Sequence, residues 1–118
     1  MSMDQIVLEN DERLDDLEYK GLKIIQKPSL YCFSSDAVLL ANLVRATSKD
    51  TIVDFGCGSG VITILALAKT NAAKAVGFEI QTKMAKLAQK NAEINNLQSN
   101  IEIINDNIPH CSSRTFRL

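Results

Sequence analysis

The run Asp54-Phe55-Gly56-Cys57-Gly58-Ser59-Gly60 sets an acid and three glycines between a β-branched stretch and an apolar helical one. Few folds accommodate that order. Thr51-Ile52-Val53-Asp54-Phe55 reads as a buried strand, because a short β-branched run halts at a cluster of chain breakers. Val61–Lys69 reads as a helix, with Ala66, Leu67 and Ala68 compact enough to press on a sheet. Glycines at such a junction permit a sharp turn and let a ligand approach the backbone closely. In open α/β sheets, ligands bind at the carboxyl ends of strands, where this loop falls.

The same alternation continues on both sides. Ser35 or Asp36 is a suitable N-cap for an apolar run from Ala37 to Ala46, expected to be a well-buried helix. Lys74–Glu79 reads as a second strand. Thr82–Asn95 reads as a third helix, with Met84, Leu87, Ala88 and Asn91 on one stripe. Asn95-Asn96 supplies the left-handed residue that commonly ends a helix. Asn100–Asn105 reads as a third strand, followed by Asp106. Helices and strands in this order predict parallel strands with right-handed crossovers: an α/β fold forming the front half of a doubly wound sheet. Upstream, residues 19–27 hold a β-leaning run, Leu22–Ile25, that Pro28 should end, a short strand or hairpin arm outside the main sheet. Residues 1–14 are expected to be an acidic, flexible lead-in and residues 15–118 a partial domain.

Chemistry narrows what the glycine loop holds. A triphosphate-binding loop needs four residues between its glycines and a lysine after the last, and Val61-Ile62-Thr63 follows Gly60 instead. A dinucleotide loop is Gly-x-Gly-x-x-Gly; here the third glycine comes one position early, with Val61 in its place. Asp54 would also repel a pyrophosphate. S-adenosylmethionine has no phosphate and carries a sulfonium and an ammonium, both attracted to a carboxylate. Glu79 ends the second strand 19 residues after Gly60, where an acid can accept hydrogen bonds from ribose hydroxyls. Dinucleotide enzymes use that device too, so Glu79 points to an adenosine ribose without choosing the cofactor. Asp106, ending the third strand, is placed to meet an adenine edge or to serve as a plain turn acid.

Charge is uneven. Residues 1–18 hold seven acids and one base, and the remainder 12 bases and 7 acids. The basic body suits a polyanion such as RNA, and equally an ordinary solvated surface. Cys32, Cys57 and Cys111, without a Cys-x-x-Cys spacing and with His110 as the single histidine, make no zinc set, so no metal is expected. Reduced thiols fit a cytoplasmic protein. The acidic start is not expected to be a signal peptide. No apolar run approaches the ~18 residues of a membrane span.

These residues resemble the class I S-adenosylmethionine-dependent methyltransferases, through Val53–Gly60, Glu79 and Asp106. More narrowly, the chain is similar to bacterial tRNA adenine methyltransferases that modify the exocyclic amine of an adenine in a valine tRNA anticodon loop. Residues 16–28 (Asp-Leu-Glu-Tyr-Lys-Gly-Leu-Lys-Ile-Ile-Gln-Lys-Pro) and 33–42 (Phe-Ser-Ser-Asp-Ala-Val-Leu-Leu-Ala-Asn) carry that likeness, which runs from about residue 15 to about 106. The resemblance implies a Rossmann-like fold in which Phe33 and Asp36 close over the methionine end of S-adenosylmethionine. It implies that Asp54, Gly56, Gly58 and Gly60 hold that end, Glu79 the ribose and Asp106 the adenine, with Lys20, Lys23 and Lys27 meeting RNA phosphate. The family is also expected to carry Asn-Pro-Pro-Tyr after a fourth strand, to hold the target amine and stack on a flipped base. This sequence has no such tetrapeptide, so no catalytic residue is assigned. The pattern fails near residue 107, where a truncation or a change of reading frame is expected. That would leave the strand at 51–55 as an apolar edge for a missing C-terminal half or a partner chain. A non-catalytic cofactor- or partner-binding module, or a related methyltransferase acting on protein glutamine or rRNA, are the alternatives.

Overall fold

In a computed structural model of the chain, residues 6–29 and 35–106 are described. β1 (Arg13–Asp16) and β2 (Lys23–Gln26) form an antiparallel hairpin, with Arg13 opposite Gln26 and Asp16 opposite Lys23. β2 buries its apolar Ile24 and Ile25 fully, whereas Leu14, the apolar residue of β1, stays exposed. The exposed β1 is held by polar pairs: Lys23 to Asp16, and the Gln26 amide donating to Asp15. This is the arm expected from residues 19–27, but its first strand begins at Arg13, within the segment read as lead-in. Arg-Leu-Asp-Asp carries little strand propensity of its own, and pairing with β2 supplies the conformation.

The main sheet is a separate one, in the order β3 (Thr51–Phe55), β4 (Lys74–Phe78), β5 (Ile101–Ile104), all parallel. Val53 lies opposite Val76, and Val76 opposite Glu102. Parallel neighbours need a long crossover, which α2 (Val61–Lys69) provides from β3 to β4 and α3 (Thr82–Ile94) from β4 to β5. The architecture is the expected Rossmann-like α/β arrangement. Four consecutive residues of β4, Ala75 to Phe78, are buried, as in a central strand covered on both faces. Gly77 is needed there because a Cβ would sit 2.9 Å from the Cys57 sulfur and 3.0 Å from its Cβ.

α3 buries Met84, Leu87, Ala88 and Asn91, the stripe read from its spacing, and Asn96 after it adopts φ 58°. Asn91 on its inner face and Asn95 at its C-cap have a role that spacing alone does not reveal. Asn91 accepts from the Ile25 N–H (2.6 Å) and donates to the Ile25 carbonyl (3.0 Å). Four residues on, Asn95 accepts from the Lys23 N–H (2.9 Å) and donates to the Lys23 carbonyl (2.7 Å). Two side-chain amides one helical turn apart thus pair alternate residues of β2, as an adjacent strand would.

α1 (Ser35–Leu43) differs from expectation. It ends before Val44, and it is not a well-buried helix: Leu39, Leu40 and Leu43 are exposed, while Ala41 is fully buried. α1 rests on α2 along one side, and an almost uniformly apolar sequence gives no period from which that side could be chosen. Leu40 of this row shares a cleft with Ile52, Val53 and Phe55 of β3, a strand that among the described residues pairs only with β4.

Asn91→Ala should strand the Ile25 N–H and carbonyl in a buried site and lower stability by about 3 kcal/mol, whereas Asn95→Ala, in a half-buried position, should cost about 1 kcal/mol. Urea unfolding of both variants checks this order; equal losses would show that burial does not set the cost.

Candidate functional site

The loop after β3 turns through three left-handed residues, Gly56 (φ 73°), Gly58 (φ 55°) and Gly60 (φ 89°), where a side chain would strain the backbone. The carbonyl of Phe78, at the end of β4, accepts from both the Gly56 N–H (2.7 Å) and the Cys57 N–H (2.9 Å). Asn91 also donates to the Ser59 carbonyl at 2.8 Å. Gly60 caps α2 without a side-chain hydrogen bond and packs on Ala88. The first N–H groups of α2 lack an intrahelical acceptor and carry the positive end of the helix dipole.

Glu79 directly follows β4 and is 8% exposed. Its Oε1 accepts from the Gly58 N–H and its Oε2 from the Gln81 N–H, each at 2.9 Å. One carboxylate therefore bolts the glycine loop to the start of α3, with lone pairs to spare on both oxygens. The Asn105 amide donates to the carbonyls of Glu79 (2.9 Å) and Ile80 (3.1 Å), fixing the end of β5 against the same turn.

A cleft of about 360 Å³ opens above the loop, lined by Gly56, Cys57, Gly58 and Ser59, by Val61 and Ile62 of α2, and by Ala37, Glu79, Gln81 and Met84. Among these residues Glu79 is the only charged one, and no lysine or arginine among the described residues lines the cleft. Asp54 lies to the side, lining a second, largely apolar cleft of about 250 Å³ with Leu40, Val44 and Phe55; Ile62 borders both. The buried Thr63 hydroxyl donates to Asp54 Oδ2 at 2.7 Å. Burial holds the Asp54 carboxyl above its usual range, the Thr63 bond opposes that, and the charge of Glu79 adds to it. Burial likewise pushes the Cys57 thiol up to about 12, with Asp54 and Glu79 contributing.

Of the residues read from the sequence, Gly56, Gly58 and Glu79 come together around one cleft, Gly60 stands behind it and Asp54 beside it. Asp36 is exposed in the first turn of α1, next to Ala37. Asp106 is exposed just past β5. Phe33 lies outside the described residues. Gln81, Met84, Thr63 and Asn105 join the site although the sequence does not mark them as part of it; of these, Gln81 stands between the strand-end acid and a helix start, and Met84 belongs to the inward stripe of α3. The lysines expected to meet phosphate are partly spoken for: Lys23 pairs with Asp16 and Lys27 with Glu9, while Lys20 lies over the Tyr19 ring. Among the described residues no group of three or more His, Cys, Asp and Glu is gathered to hold a metal, and no helix is long and apolar enough to cross a membrane.

Residues 37–115 match the family described as ribosomal protein L11 methyltransferase (PrmA). Over 82 residues the chain is 40% identical to a Methanocaldococcus jannaschii protein that bears the name protein N5-glutamine methyltransferase, covering 69% of this chain and 41% of that one. It is 43% identical over 53 residues to an Escherichia coli ribosomal protein L11 methyltransferase, covering 45% of this chain and 18% of the other. The chain thus spans less than half the length of the relatives it matches. Its structure is similar to that of Pyrococcus horikoshii TYW2 in complex with MeSAdo (TM-score 0.68, 17% identity, 84% of this chain and 37% of that one). It is similar also to aTrm5 from a complex with tRNALeu (TM-score 0.63, 23% identity, 83% and 29%). At such identities these two structures speak to the fold.

Asp54 carries a raised folded pKa, so keeping it charged costs stability above that pKa, and the cost fades as pH falls toward the unfolded value of 3.8. Asp54→Asn should therefore be more stable than the parent at pH 7, with the gap closing in acid. Urea midpoints at neutral and acidic pH read the difference; a less stable variant at pH 7 would mean that the Thr63 bond to the charged form outweighs burial.

Proposed function

Because the chain belongs to the ribosomal protein L11 methyltransferase (PrmA) family, within the class I S-adenosylmethionine-dependent methyltransferases, we propose that it forms the cofactor-holding part of an N-methyltransferase acting on the exocyclic amine of a tRNA anticodon-loop adenine. The cofactor is S-adenosylmethionine. The observation that carries the reading is the electrostatics of the cleft: backbone N–H groups and one buried carboxylate, with no lysine or arginine among the described residues of its lining. A phosphate would find no counter-charge there, and a cation finds Glu79 in the wall and Asp54 beside it.

Bound S-adenosylmethionine supplies an electrophilic methyl group on a sulfonium. The chain's own residues position it. Glu79, already oriented by two backbone N–H groups, uses its remaining lone pairs on the ribose hydroxyls. Gly56 and Gly58 let the ligand lie against the backbone, and the first turn of α2 offers N–H groups to a carboxylate. Asp54 acts through its charge on the sulfonium and ammonium. Asp36, with Phe33, covers the methionine end, and Asp106 meets the adenine edge. Such transfer depends on placing the acceptor nitrogen in line with the methyl group more than on a strong base.

The tRNA acceptor is supported by the likeness of residues 16–28 and 33–42 to the tRNA adenine methyltransferases. The 40% identity to a protein named as a glutamine methyltransferase favours a second acceptor, the side-chain amide of a protein glutamine. Both acceptors are planar nitrogens whose lone pair is delocalised, so one cofactor site serves either.

Calorimetry should give tighter binding of S-adenosylmethionine than of NAD, and the reverse order would sink the proposal. Glu79→Gln should weaken S-adenosylmethionine by on the order of tenfold, because an amide satisfies one backbone N–H and turns its own donor toward the other. Transfer of labelled methyl groups, with products identified as methyladenosine in unmodified tRNA or methylglutamine in protein, separates the two acceptors.

A further inference from the structure

A second concentration of charge lies away from the cleft. Lys83, Lys86 and Lys90 recur on α3 at spacings that put them on one side of the helix, and Lys27 of the hairpin joins them. With Glu9, Glu12 and Leu87 they wall a depression of about 130 Å³. Acids from the start of the chain already sit on this row. Lys90 Nζ is 2.8 Å from Glu12 Oε1, and Lys27 Nζ is 3.1 Å from Glu9 Oε2. The Glu12 side chain is 3% exposed and also accepts from the Glu9 N–H, so the turn is seated as a unit. Asp11 belongs to it: the Ser29 hydroxyl holds its carboxyl below the usual range, and the charges of Lys27 and Lys83 add to that.

A negative turn lying on a lysine row imitates a polyanion. We infer that Lys27, Lys83, Lys86 and Lys90 form a track for the phosphates of single-stranded RNA, and that the acidic turn at residues 9–12 is its internal competitor, displaced when RNA binds. The row rises by about 4.5 to 6 Å from one helix lysine to the next, a step that a nucleic-acid backbone can follow. Its first helix lysine, Lys83, directly precedes Met84, which lines the cofactor cleft, so the track starts one residue from that lining. The placement of the track stands on the charges; the choice of RNA over an acidic protein rests on the tRNA reading above.

Anisotropy of a labelled uridine oligonucleotide with the full chain at low salt tests this, alongside calorimetry with S-adenosylmethionine. Glu9→Gln combined with Asp11→Asn should tighten RNA binding about three- to fivefold, since exposed pairs of this kind are weak and leave the fold intact. Lys83→Gln combined with Lys86→Gln should weaken it about tenfold and lower the salt slope by about 1.4, at roughly 0.7 per phosphate of a single strand. S-adenosylmethionine affinity and thermal midpoints should not move in either variant. RNA binding unchanged in either variant overturns the track, and so does a preference for a glutamate-rich peptide over RNA. Lysine-dependent RNA binding without any S-adenosylmethionine binding would instead overturn the proposed function and leave the track standing.

Discussion

Asn91 has no exposed surface, so its amide must find partners inside the protein, and it finds them on two elements other than its own. It takes the N–H and carbonyl of Ile25 in β2 and the carbonyl of Ser59 in the glycine loop. A buried amide is worth little net energy when satisfied and is costly when it is not, so its effect is to forbid other arrangements. The hairpin cannot slide along α3 without breaking the Ile25 pair. The loop cannot lift from α3 without stranding the Asn91 donor. Asn95 repeats the constraint one turn on, and the two together make α3 a template for an outlying strand.

Glu79 sets the loop from the opposite side. Its carboxylate shares the loop's N–H at 58 with the turn's N–H at 81, so strand end, loop and helix start are one rigid corner. Rigidity here is the condition for binding: a ligand meets donors and acceptors already held apart, and does not have to order them. The same corner buries Asp54 with Glu79 near it, and its pKa is raised by that burial first and by the charge of Glu79 second.

How much of this the sequence disclosed differs by element. Glycines in positive φ and a strand-end acid are local facts, so the loop and Glu79 were legible, as was the alternation that builds a parallel sheet. β1 was not, because Arg-Leu-Asp-Asp is a strand only by virtue of its partner. The exposed side of α1 was hidden by a composition that is apolar all round. Asn91 was visible as a member of a helical stripe, but a stripe says which face is inward and nothing of which backbone that face will meet. Lys23 and Lys27 looked like free cations until the hairpin and the turn at residues 9–12 brought Asp16 and Glu9 to them. Each miss is a contact between segments distant in sequence or a choice between equivalent faces.

Cys57 lines the cleft beside the place where a methyl donor would lie. Sulfur in its thiolate form is a better nucleophile than any amine or amide nitrogen, and would compete with the intended acceptor for an electrophilic methyl group. With the thiol pushed up to about 12, only roughly one molecule in a hundred thousand carries the thiolate at neutral pH. Burial, with the charges of Asp54 and Glu79 adding to it, therefore disarms a thiol in the cleft wall that a methyl donor could otherwise alkylate, protecting the protein from its own reagent.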